Sequence, residues 1–120
     1  MKILIVEDDG VLALSTMHHL VEMGHEVTGI AKSGDTAFKR ITERPPELVL
    51  MDIKLYGPMS GIEITKVINE KYAIPVIYVT AHTDDETMRQ INETRHFGVI
   101  SKPFEPHELK VAIDTWLNKE

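Results

Sequence analysis

The sequence predicts an α/β protein: a doubly wound, five-stranded parallel sheet with helices on both faces. Three observations predict it. Short β-branched runs alternate with segments of helical period along the whole chain. The runs are predominantly apolar, as strands buried on both faces require. No repeat, low-complexity tract or linker breaks the pattern, and 120 residues fit one domain, 1–120, with no output domain in this chain.

The strands are read at Ile3 to Val6, Val27 to Ile30, Leu48 to Met51, Val76 to Val79 and Gly98 to Ile100. Between the first two, Ala13, Leu14, Met17, Leu20 and Val21 make the inward face of a helix that stops at Gly24. The second helix starts near Ser33, turns Ala37, Phe38 and Ile41 inward, and ends before Pro45 and Pro46. The third opens on Ser60-Gly-Ile-Glu63 and the fourth on Thr83-Asp-Asp-Glu86, each with a hydroxyl at the cap and a carboxylate three residues later. Only Met88 and Ile91 form a stripe on the fourth helix, which is therefore held less firmly than the others. The last helix follows Pro106 and buries Leu109, Ala112, Ile113, Trp116 and Leu117.

Composition excludes several classes. The formal net charge of −6, with no basic stripe, argues against direct nucleic-acid binding. There is no cysteine, so disulfides and thiolate chemistry are absent and a reducing, cytoplasmic setting fits. The opening "MKILIVEDD" is neither a signal peptide nor a membrane span, because its apolar run is short and ends in acids.

In a doubly wound sheet the functional crevice lies beyond the carboxyl ends of the strands. Glu7, Asp8 and Asp9 follow the first strand, Asp52 the third, Thr80 and Ala81 the fourth, and Lys102-Pro103 the fifth. Each alone has an ordinary explanation as a cap or a solvated turn. Their joint occurrence, each directly after its own apolar run, points to one site. Carboxylates crowded from neighbouring strands raise one another's pKa unless a cation intervenes, and an all-oxygen set with few protein ligands suits Mg²⁺. Asp52 is then a candidate nucleophile toward phosphorus, with Lys102 and Thr80 sharing the charge of the transferred group.

The motifs "ILIVEDD", "LVLMDI", "PVIYVTA" and "SKPF", in this order and spacing, resemble the response regulator receiver domain of two-component signalling over essentially the whole chain. The resemblance implies a flavodoxin-like (βα)5 fold with strand order 2-1-3-4-5. It implies that Asp52 accepts phosphate from a histidine of a sensor histidine kinase or phosphotransfer protein. Glu7, Asp8, Asp52 and the backbone carbonyl of Lys54 would hold Mg²⁺, with Mn²⁺ as a substitute. Thr80 matches the hydroxyl that moves toward the phosphoryl group, Ala81 the small residue giving access, and Lys102 the phosphate-contacting lysine. A cis bond before Pro103 is common in such domains. The role is that of a signalling phosphoacceptor that promotes only its own phosphorylation and dephosphorylation, switching the face around the fourth helix and fifth strand toward a downstream protein. Receivers also often form homodimers through the fourth and fifth helices.

Asp9 lies outside the matched acidic pair and reads as the first helix's cap. At the position where receivers usually carry a switching aromatic, this chain has Val99; Phe97, of the same strand parity, can take part of that role. The loop "IKLYGPMSG" is one residue longer than the commonest form. Lys54 and His82, two positions beyond Asp52 and Thr80, would border the path of an attacking water and modulate the phosphoryl lifetime.

Three other functions compete. An aspartate-based phosphatase needs a second acid where Lys54 stands, and a flavin module needs hydroxyls and glycines where "EDDG" stands. A receiver-like interaction module that is never phosphorylated would not need the acids, Asp52, Thr80 and Lys102 together.

Overall fold

The computed structural model describes residues 1–119. Strands and helices alternate: β1 (Lys2–Val6), α1 (Gly10–Glu22), β2 (Glu26–Ala31), α2 (Gly34–Glu43), β3 (Leu48–Met51), α3 (Gly61–Lys71), β4 (Val76–Thr80), α4 (Asp85–Asn92), β5 (Val99–Ser101) and α5 (Pro106–Lys119). The strands pair in parallel in the order β2-β1-β3-β4-β5. β5 starts at Val99 and runs to Ser101, one residue later than the sequence suggested.

Successive strand residues point to opposite faces, so each strand feeds two cores. Leu4, Val6, Val49, Met51 and Tyr78 pack with Ala37 and Ile41 of α2, Ile64 and Ile68 of α3 and Ile91 of α4. Ile3, Ile5, Leu50, Ile77 and Ile100 pack with Ala13 and Leu20 of α1 and Leu109, Ile113 and Trp116 of α5. Both sheet edges are irregular or short: the β1–β2 register shifts between Ile3 and Leu4, and β5 spans three residues.

The helix faces correct the sequence reading in detail. On α1 the buried residues are Ala13, Thr16 and Leu20, whereas Leu14 and Val21 are each 56% exposed. They are seven apart and so share a flank turned about 100° from the core line. On α5 the face runs through Leu109, Ile113 and Trp116, which leaves Leu117 at the exposed edge. Asp9 caps α1 by accepting from the amides of Val11 and Leu12. Gly24, at φ 92, takes the left-handed turn after α1 that a side chain disfavours.

Ser60 and Glu63 form the reciprocal capping box of α3. The cap of α4 is Asp84 rather than Thr83, because its carboxylate accepts from both the amide and the hydroxyl of Thr87. α4 has Ile91 as its one fully buried residue, in keeping with the weak stripe. Among the described residues, no helix is long and apolar enough to cross a membrane.

Candidate functional site

The parallel register carries the acids to one rim. Val6 is paired with Met51, so Glu7 and Asp52 both follow directly beyond paired residues. The Asp52 amide donates to the Val6 carbonyl at 2.9 Å and the Glu7 amide to the Ala31 carbonyl at 2.8 Å, which fixes both backbones. Both side chains are buried, and Asp8 is half-buried. Carboxylate oxygens of Glu7, Asp8 and Asp52 lie within 4.8 Å of one another.

Lys102, from the connection after β5, joins this cluster because its own amide donates to the Thr80 carbonyl at 2.9 Å. Its Nζ donates to Glu7 Oε1 at 2.6 Å and to Asp52 Oδ2 at 2.9 Å. Asp52 Oδ1 accepts from the Ile53 amide at 2.7 Å, and Glu7 Oε2 from the Asp9 amide at 3.1 Å. Burial pushes the Glu7 carboxyl up to about 7, with Asp52 adding to the rise and the bond from Lys102 opposing it. Burial by itself would lower the Lys102 pKa, yet its bonds to Asp52 and Glu7 and their charges raise it overall. The site is thus a cluster of three acids, two of them bridged by one ammonium. Its donor set is all oxygen and mutually close, which fits a hard divalent ion such as Mg²⁺.

Thr80 ends β4 fully buried, and its hydroxyl accepts from the His82 amide at 3.1 Å. Ala81 is exposed and lines a recess with Leu12, Lys102, Pro103 and Phe104. The Lys102–Pro103 peptide bond is cis. Lys54 is exposed and His82 half-buried, and both line an open groove between the β3–α3 loop and α4.

The expected placement of Phe97 is corrected. It lies outside β5, and its ring meets Trp116 of α5 edge-on at 6.0 Å between centroids. Val99 instead packs on the opposite core beside Tyr78, its partner in β4.

Two features escaped the sequence reading. Gly61 donates its amide to the Ile53 carbonyl at 2.7 Å, and a Cβ there would sit 1.9 Å from the Asp52 carbonyl oxygen. The glycine inside the α3 capping box was its only trace in the sequence. Tyr78, completely buried, holds Thr94 through its hydroxyl at 2.9 Å, a contact with no local signature.

The sequence profile of the response regulator receiver domain matches residues 3–114. The chain is 32% identical over 114 residues to the phyllosphere-induced regulator PhyR of Methylorubrum extorquens, covering 93% of this chain and 42% of that protein. It is 32% identical over 118 residues to the DNA-binding response regulator MtrA of Mycobacterium tuberculosis, covering 98% of this chain and 51% of that one. It therefore spans about half the length of the curated relatives it matches. Among solved structures it resembles the CheY-like response regulator receiver domain protein of Methanospirillum hungatei JF-1, with a TM-score of 0.87 at 29% identity over 98% of this chain and 94% of that one. The signal receiver domain of a modulated diguanylate cyclase from Desulfovibrio desulfuricans G20 gives a TM-score of 0.90 at 28% identity, with the same coverage.

Proposed function

Because the chain belongs to the response regulator receiver domain family of two-component signalling, we propose that Asp52 is its phosphoacceptor and that phosphorylation switches the face around α4 and β5. The observation that carries this reading is the pair of hydrogen bonds that Lys102 donates to Glu7 and Asp52 at the rim that also holds Asp8.

A carboxylate oxygen of Asp52 attacks the phosphorus of a phosphohistidine on a kinase or phosphotransfer protein. The P–N bond breaks, and the imidazole leaves with its electron pair and takes up a proton. Lys102 faces the developing charge on the phosphoryl oxygens, and Thr80 exchanges its bond from His82 for one to the phosphoryl group. Glu7, Asp8, Asp52 and the Lys54 carbonyl would hold Mg²⁺, which would supply neutralisation of the transferred group; Mn²⁺ would serve the same purpose. Water later attacks the phosphorus, the bond from phosphorus to the Asp52 oxygen breaks, and inorganic phosphate leaves while the Asp52 carboxylate is restored, at a rate set partly by Lys54 and His82 beside the groove.

The reading is that of a cytoplasmic module with a protein target, able to dimerise through α4 and α5 and making no direct contact with nucleic acid. Binding of DNA is a property named for MtrA. The test is incubation with acetyl phosphate and Mg²⁺ followed by intact-mass measurement. One phosphoryl group should add to the wild-type chain and none to Asp52→Asn or in EDTA; equal labelling of the variant rejects the assignment.

A further inference from the structure

Two hydroxyl bonds in series connect β4 to the C-terminal end of α4. Thr94 Oγ1 donates to the Ile91 carbonyl at 2.6 Å, which commits its only proton. The Tyr78 hydroxyl, 2.9 Å from the same oxygen, is therefore the donor of that pair. Both residues are buried, which shields the bond from competing water.

The next residue is tied to a second neighbour. The Arg95 amide donates to Asn69 Oδ1 at 2.9 Å, and the Arg95 carbonyl accepts from Asn69 Nδ2 at 3.2 Å. The His96 ring adds an edge contact on Tyr78 at 5.6 Å between centroids. The other end of α4 is unlike this one. From Asp84 to Gln90 every side chain is exposed or half-buried. Its side-chain hydrogen bonds run within the helix and its cap: Thr87 donates to Asp84, and Arg89 and Gln90 donate to Glu86.

Tyr78 stands two residues before Thr80 on the same strand face, opposite Val99 in register. We propose that Tyr78 is a positioning residue: through Thr94 it fixes the C-terminal end of α4 to the strand that carries Thr80. A displacement of Thr80 then turns α4 about Thr94 and moves its Asp85 end. The inference rests on the phosphoacceptor reading for what displaces Thr80, and it assigns the coupling to a hydroxyl on β4 where position 99 has only valine.

Hydrogen exchange tests it on the wild-type chain, Tyr78→Phe, Thr94→Val and Thr94→Ser, each with and without Mg²⁺ plus beryllofluoride as an acyl-phosphate mimic. Without ligand, Tyr78→Phe and Thr94→Val should speed exchange of the Glu93 and Thr94 amides about fivefold, the effect of one neutral hydrogen bond, while Thr94→Ser keeps the wild-type rate. Amides of β1 and β3 should not change. With ligand, the wild-type response should stay between Asp85 and Arg89, and in Tyr78→Phe it should spread through Thr94. Wild-type rates in both hydroxyl-deleted variants, a uniform rise across the chain, or an equal ligand response in Tyr78→Phe and wild type overturns the positioning role. If the wild-type chain itself neither labels with acetyl phosphate nor responds to the mimic, the phosphoacceptor reading falls as well. A wild-type response that does not spread in the variant sinks the positioning role alone.

Discussion

Lys102 and Asp52 meet at 2.9 Å between Nζ and Oδ2, although β4 separates their strands in the sheet. The same ammonium also holds Glu7, so one cation bridges two of the three clustered acids. Lys102→Ala should lower stability in EDTA by about 3 kcal/mol, because it leaves buried carboxylates uncompensated. Excess Mg²⁺ should recover most of the loss. Phosphorylation by acetyl phosphate should slow roughly 10²-fold, since in the proposed reaction the residue also faces the transferred charge. Urea unfolding with and without metal, beside the labelling rate, checks both effects.

The raised carboxyl of Glu7 makes metal-free stability depend on pH. The native chain keeps a proton up to about 7, whereas the ordinary value is 4.5. The group's contribution is therefore complete below 4.5 and is lost as pH rises through about 7. Glu7→Gln should remove this part of the decline, as read from urea midpoints in EDTA across that range. Mg²⁺ favours the ionised form, so its affinity should rise over the same interval in the wild-type chain and less in the variant.

Gly61 should tolerate no side chain. The Cβ of alanine would fall 1.9 Å from the backbone oxygen of Asp52, so the β3–α3 loop must move. Gly61→Ala should cost roughly 2–3 kcal/mol as an overpacked position. Because the displaced backbone carries Asp52, labelling should fall even under conditions where the variant remains folded. Circular dichroism and intact-mass labelling at one temperature separate the two.

The face of α1 can be tested by contrast. Leu20 is fully buried and Leu14 is 56% exposed. Leu20→Ala should destabilise by about 3 kcal/mol, and Leu14→Ala by no more than about 0.5 kcal/mol. Equal losses in thermal or urea unfolding would restore Leu14 to the core.

Where one short window carries both the pattern and its end, the sequence was readable. The run Leu48 to Met51 with Asp52 behind it marked a buried strand and a rim acid, and the topology brought the scattered residues to one place. The α1 face was misjudged because Thr16, a polar letter, belongs inside, while Leu14 and Val21 stand outside. The α4 cap was read one residue early, at Thr83, because the neighbouring Thr83 and Asp84 both carry a capping oxygen and only geometry decides between them. Phe97 was misplaced because strand parity applies only within a strand, and β5 begins after it. The bonds of Tyr78 with Thr94 and of Asn69 with Arg95 join residues far apart in the chain, so no local spacing announces them.

The shifted register of β2 and the brevity of β5 mean that neither border of the sheet offers a foreign chain a long, regular ladder of free amides and carbonyls. Main-chain zippering between copies is thereby disfavoured by backbone geometry as well as by charge.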